Sequence, residues 1–339
     1  MPTSAGIVPT NRQYRLAARP VGLPKNSVWQ VVEEPLPSPE QGEFVVKIEY
    51  ISLDPAMRGW MNERRSYLPP VGIGDVMRAG AVGQVVDSRN DDYLIGDQVS
   101  GWFGVQQYAR TDGRGVTKID TRMAPLPVYL STLGMPGLTA YFGLLDIGEA
   151  KEGDTVVVSA AAGAVGSVAG QIAKLKGCRV VGIAGGPMKC SYIVDELGFD
   201  AAIDYKSERV QPRLRELCPD RVNVYFDNVG GDILDDVLTV LARHARIVVC
   251  GAVSQYNRAG RMHGPSNYMT LLVDRARMEG FLVFDYTARY PEAVRQMAGW
   301  MAAGKLKSRE DIVEGFDNFP SALRKLFRGA NHGKLVVHV

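Results

Sequence analysis

The pattern of apolar and polar residues changes character once along the chain. Up to about residue 130, β-branched runs such as "FVVKIEYISLD", "GAVGQVVDS" and "DQVSGWFGVQQYAR" are broken by Gly, Pro and Asp. Short strands between turn residues predict an irregular β-rich domain. From Leu130 onward, continuous apolar runs alternate with segments of helical period. Strands buried on both faces need no polar positions, so this alternation predicts a parallel sheet wrapped by helices. Strands are expected at Thr155–Ser159, Arg179–Ala184, Ala201–Ile203, Val222–Phe226, Arg246–Cys250 and Gly280–Phe284. Between the first two, Val165, Val168, Ile172 and Leu175 share one face of a helix over Ala164–Leu175. Helical text also spans residues 137–145 and 291–303, and the chain closes on a short helix and a last strand-like run, "KLVVHV". No repeat or low-complexity tether interrupts it.

Composition narrows the class. A chain of 339 residues predicts two domains, and 46% hydrophobic with 22% charged residues describes a globular protein with a sizeable core. The net charge of +2 and the lack of a basic cluster interleaved with aromatics exclude a nucleic-acid partner. No apolar run approaches the roughly 18–20 residues that span a bilayer. The first twenty residues lack the apolar stretch of a signal peptide, so a cytoplasmic location without membrane attachment is expected. The four cysteines are widely spaced, with no C-x-x-C pair, and predict free thiols packed as small hydrophobes in a reducing compartment.

The stretch "DTVVVSAAAGAVGSVAGQIAKLKG" reads as strand, tight turn and helix. In a dinucleotide-binding turn the first glycine permits the turn, the second lets backbone approach the pyrophosphate, and the third allows close helix–strand packing. Here Ala161 stands at the first position and Gly163 and Gly166 at the others, with Gly170 one helical turn on. Alanine fits if its φ stays negative. An Ala/Gly-rich helix start also arises from packing alone; the flanking strands favour a cofactor site. At the end of the second strand, an NAD site carries an acid to accept from the ribose 2′-OH. This chain reads "VVGIAGGPMK", with no carboxylate, room at Ala184, Gly185 and Gly186, and a cation at Lys189. NADPH is therefore the expected cofactor, and Tyr205 and Lys206 after the third strand are placed to reach the same 2′-phosphate.

A hydride acceptor needs a metal or a proton donor for its developing oxyanion. Residues 1–130, which should hold a small-molecule substrate, contain no Cys and no His, so zinc catalysis is not expected. A tyrosine phenol serves instead. Tyr256 follows the fifth strand, at the sheet edge where ligands bind in open α/β folds, and Tyr67 lies in a loop of the first domain. These are the two catalytic candidates.

The runs "ISLDPAMRGWM", "LGMPGLTAYFGL", "AAAGAVGSVAGQIAK", "YFDNVGG", "CGAVSQYN", "RMEGFLVFD" and "GANHGK", in this order, resemble the zinc-independent medium-chain dehydrogenase/reductases, in the branch of the prostaglandin and curcumin reductases. The resemblance runs from about Arg12 to the C-terminus. It implies an α/β fold in which a GroES-like β-rich catalytic domain, residues 1–130 and 304–339, encloses a Rossmann NADP-binding domain, a doubly wound parallel sheet, at 131–303. It implies NADPH-dependent reduction of the C=C bond of α,β-unsaturated ketones or aldehydes, with hydride passing to the β-carbon and Tyr256 stabilising the enolate oxygen. Carried over by position, Gly163, Ala164, Val165 and Gly166 meet the diphosphate, and Lys189 and Tyr205 the 2′-phosphate. Asn228, the segment Cys250, Gly251, Ala252, Val253, Ser254, Gln255 and Tyr256, and Phe281, Leu282 and Val283 line the ribose and nicotinamide. Asn331 reaches the cofactor from the C-terminal segment. The loop "SYLPPVGIGDVMR", which carries Tyr67 and borders the substrate in the family, is closer to the curcumin reductase type. A homodimer is implied, through the strand near Met278–Phe284 extending the sheet across a two-fold axis. A quinone reductase of the same fold and a non-catalytic NADPH-binding or sensing protein are the alternatives.

Overall fold

In the computed structural model, which describes residues 10–260 and 262–339, contacts divide the chain into two units. The segment before Thr10, read above for a leader, lies outside the described residues. One unit runs to Leu130 and takes in Ile312–Arg328 and Leu335–Val339; the other comprises Ser131–Asp311 and Gly329–Lys334.

In the first unit, β1 (Thr10–Leu16) and β2 (Trp29–Pro35) form an antiparallel pair. Strands β3 (Phe44–Ser52), β4 (Ala81–Ser88) and β5 (Gln98–Gly101) are antiparallel neighbours in a larger sheet. The short β6 (Tyr108–Thr111) joins the Phe44–Lys47 half of β3, and β7 (Thr117–Lys118) joins β5. Period-2 alternation on β3 sends Phe44, Val46 and Ile48 inward, where Trp60 and Phe319 complete the packing.

The second unit holds six parallel strands: β8 (Thr155–Ser159), β9 (Arg179–Ala184), β10 (Ala201–Asp204), β11 (Val222–Asp227), β12 (Leu241–Val249) and β13 (Arg277–Gly280). Their order β10-β9-β8-β11-β12-β13 reverses direction beside β8, as in a doubly wound Rossmann sheet. All five residues of β8 are buried, the apolar run Val156–Val158 and the polar Thr155 and Ser159 at its ends alike. The last strands, β14 (Glu310–Glu314) and β15 (Lys334–His338), return to the first sheet, β15 pairing with β3.

Three expectations shift. Strand β12 begins at Leu241, five residues before the expected Arg246, through a bulge opposite Val222–Val224. Strand β13 spans Arg277–Gly280 rather than Gly280–Phe284, because its partner β12 ends at Val249, opposite Gly280. Beyond it, Val283–Arg289 winds into a 3₁₀ turn, with the Tyr290 hydroxyl donating to the Val283 carbonyl. Residues 304–311 and 329–334, expected with the catalytic domain, cluster with the second unit. Leu306 is buried, Lys307 exchanges two hydrogen bonds with the Gln171 side chain, and Gly333 bridges to Gly163.

Candidate active site

Strand β8 ends at Ser159 and the helix Ala164–Leu175 starts five residues later. The left-handed residue of the turn is Ala160, with φ of 48°, and not Ala161. Ala161 is fully buried, and its amide donates to the Ile183 carbonyl at 3.1 Å. Its methyl lies against Gly182 of β9, where a Cβ would stand 2.9 Å away. The alanine at the first fingerprint position is thus accommodated by a glycine on the next strand. Gly163 caps the helix with extended backbone and offers no side chain to the amides of Ala164, Val165 and Gly166. First-turn amides have no partner within the helix, so these three donors and the positive end of the dipole suit an anion. A Cβ on Gly166 would run into the Ala160 carbonyl and one on Gly170 into the Phe199 ring, so both glycines hold the helix close to its neighbours.

The end of β9 carries no acid. Gly185 is roofed by Tyr205, whose ring would stand 2.8 Å from a Cβ there, and by the Lys206 stem at 3.0 Å. The nearby carboxylate, Asp204, is occupied by the amides of Gly186 (2.7 Å) and Lys206 (3.0 Å) and by the Ser207 hydroxyl (2.9 Å), and the Gly186 amide above all holds its pKa low. Lys189 donates to the Gly329 carbonyl at 2.7 Å. Burial, and then the neighbouring Lys206 ammonium, push its pKa down. The segment Gly329–Lys334 continues from there to the glycine turn. Gly333 donates to the Ala162 carbonyl at 3.1 Å, and the buried Asn331 bonds the Gly333 carbonyl at 2.8 Å.

At the ends of β11 and β12, Asn228 spans two strands: its amide donates to Ser159 Oγ (2.9 Å) and its Nδ2 to the Ser159 carbonyl (2.8 Å). The segment Cys250–Tyr256 folds over the same loop. Cys250 and Gly251 donate to the Asp227 carbonyl, Val253 to that of Asn228, and Ser254 to that of Val229. The buried Gln255 exchanges two hydrogen bonds with the backbone of His263. Tyr256 turns back on its own loop, where its hydroxyl accepts the Ala252 amide at 3.1 Å. A Cβ on Gly251 would lie 3.0 Å from that hydroxyl, so the glycine leaves room for the ring. The Cys250 thiol is pushed up to about 12 by burial and the Asp227 charge, and stays protonated at neutral pH. Phe281 packs toward Gly143, Leu282 follows it, and Val283 is buried.

Residues 12–119 match the family model described as the N-terminal domain of oxidoreductase, and residues 164–299 the one described as zinc-binding dehydrogenase. The chain is 43% identical to the NADPH-dependent curcumin reductase of Escherichia coli, over 97% of both chains. It is 40% identical to the NADP(+)-dependent 2-alkenal reductase of Nicotiana tabacum, over 97% of this chain and 98% of that one. The chain belongs to the medium-chain dehydrogenase/reductases, in the branch of the curcumin and prostaglandin reductases. Among solved structures, CurA of Vibrio vulnificus in complex with NADPH superposes with a TM-score of 0.92 at 45% identity, covering 97% of this chain and 99% of that one.

Within this medium-chain reductase, all the predicted cofactor residues lie in the second unit, as does Tyr256. Tyr67 belongs to the first, 46% exposed, with the Arg78 guanidinium as an electrostatic neighbour. Among the described residues no group of three or more His, Cys, Asp or Glu side chains is arranged to hold a metal. Asp227 was not singled out from the sequence, although it lies in the quoted "YFDNVGG" run; its role emerges only from the bonds it makes.

Proposed function

We propose that this protein is an NADPH-dependent enone reductase that acts without zinc on α,β-unsaturated ketones and aldehydes. The observation that carries the reading is the match, along nearly the whole chain, to reductases named for curcumin and for 2-alkenals, both of which conjugate a C=C bond to a carbonyl. Bound NADPH supplies the hydride that adds to the β-carbon of that bond.

The chain's own residues do the rest. The amides of Ala164, Val165 and Gly166, above Gly163, take the diphosphate, while Lys189 and Tyr205 flank the 2′-phosphate where β9 lacks an acid. Asn228, the segment Cys250–Tyr256, Phe281, Leu282, Val283 and Asn331 line the ribose and nicotinamide. Tyr256 donates its hydroxyl proton toward the carbonyl oxygen as negative charge gathers there. The Ala252 amide, bonded to the same oxygen, polarises the O–H toward donation. Tyr67 is the second candidate donor. Zinc is left out because residues 1–130 hold neither Cys nor His.

The reading includes a cytoplasmic homodimer. No helix among the described residues is long and apolar enough to cross a membrane. Strand β13 lies at the edge of its sheet, and antiparallel pairing of two copies about Met278 sets Arg277 against Glu279. Light scattering measures the dimer. NADPH oxidation with a 2-alkenal, a conjugated ketone and a quinone tests the chemistry. Faster turnover of the quinone favours a quinone reductase, and NADPH binding without oxidation by any of the three favours a sensor.

A further inference from the structure

Asp227, at the end of β11, is 1% exposed, yet one of its carboxylate oxygens accepts four hydrogen bonds. They come from the amides of Val229 (3.0 Å) and Gly230 (2.9 Å) and the hydroxyls of Tyr225 (2.8 Å) and Ser159 (3.2 Å). Ser159 Oγ in turn accepts the Asn228 amide at 2.9 Å. The N–H groups of three successive peptide planes are therefore fixed, two by the carboxylate itself and one through Ser159.

A trans peptide plane points its C=O opposite to its N–H. The carbonyls of those same three planes are the acceptors that hold the Tyr256 loop. Asp227 O takes Cys250 (2.9 Å) and Gly251 (3.0 Å), and Asn228 O takes Val253 (3.2 Å). Val229 O takes the Ser254 amide (3.2 Å) and its hydroxyl (2.6 Å). Ala252, between them, donates to Tyr256. We infer that Asp227 is a positioning residue for the reaction: by gripping one side of three peptide planes it aims the other side, and so sets the loop that carries Tyr256. It acts through these planes, its own side chain being buried. Burial raises the Asp227 pKa, and the Gly230 and Val229 amides with the Tyr225 and Ser159 hydroxyls oppose that rise by favouring the charged carboxylate, to which hydrogen bonds are about twice as strong as to a neutral group. The inference rests on the proposed enone reductase activity, which wild-type turnover tests separately.

The experiment compares Asp227→Asn and Ser159→Ala with wild type. Three quantities are measured: kcat for a 2-alkenal, the affinity for 2′,5′-ADP, and the emission of the bound NADPH nicotinamide. The adenosine probe meets only the Lys189 and glycine-turn side, so a residue that merely supports the fold lowers everything together. Asp227→Asn is expected to melt within a few degrees of wild type and keep its 2′,5′-ADP affinity. Its kcat should fall about ten- to a hundredfold, with the nicotinamide emission moving toward that of free NADPH. Ser159→Ala keeps the carboxylate and loses one plane, so a smaller change of the same pattern is expected. Should Asp227→Asn fail to fold, Ser159→Ala decides. Unchanged kcat and emission in a folded variant overturn the inference, as does a loss of 2′,5′-ADP affinity in proportion to the loss of turnover.

Discussion

Lys189 and Tyr256 are the residues on which the proposed cofactor and chemistry turn. Removing the Lys189 ammonium is expected to raise the KM for NADPH about ten- to a hundredfold, the worth of one charge-assisted contact of roughly 1.5–3 kcal/mol. The KM for NADH should rise only slightly, through the lost bond to Gly329. Steady-state kinetics with both cofactors checks this, and equal effects contradict the 2′-phosphate assignment. Tyr256→Phe is expected to lower kcat for enones about 10- to 10³-fold while NADPH affinity changes far less, as for loss of one oxyanion donor. If the phenol instead serves mainly to close its loop on the Ala252 amide, binding and kcat fall together. Single positions of this kind are legible in sequence where chemistry restricts the residue type, as at Gly163, Gly166 and the acid-free end of β9. Asp227 was not legible in that way. A buried carboxylate reads like any strand-end acid until the peptide planes it grips are seen in space.

At the scale of elements, helix Ala164–Leu175 rests on β8 and β9 because glycines face its neighbours. Gly170→Ala would drive a Cβ into the Phe199 ring, and overpacking of this kind is expected to cost about 1–3 kcal/mol. The same substitution made beside Phe199→Leu should cost less, and denaturant melts of the four-member cycle measure the coupling. The NADPH preference of the folded variants should stay as in wild type. Strands β8 and β9 and this helix have the bounds that the apolar pattern predicts, since a strand buried on both faces announces its length. The pattern fails at β12, whose first half, "LARHA", mixes charged and apolar residues through a bulge with His244 at positive φ. It fails again at β13, an edge strand whose register is set by where β12 stops rather than by its own residues.

At the scale of the whole molecule, composition and the change in pattern near Leu130 foresaw two units, but not that the chain leaves and rejoins them after residue 310. That crossing depends on contacts far apart in sequence, such as Gly333 with Ala162 and Lys307 with Gln171. The central claim is reduction of a conjugated C=C bond by NADPH without a metal. Its most direct test is one turnover experiment on protein dialysed against a strong chelator, using NADPH deuterated at the transferable C4 position and a 2-alkenal. The product is analysed by NMR and mass spectrometry. The predicted result is the saturated aldehyde with deuterium on its β-carbon, one NADPH consumed per C=C bond. Allylic alcohol with deuterium on the carbonyl carbon, or turnover that vanishes with the chelator and returns with zinc, would contradict it.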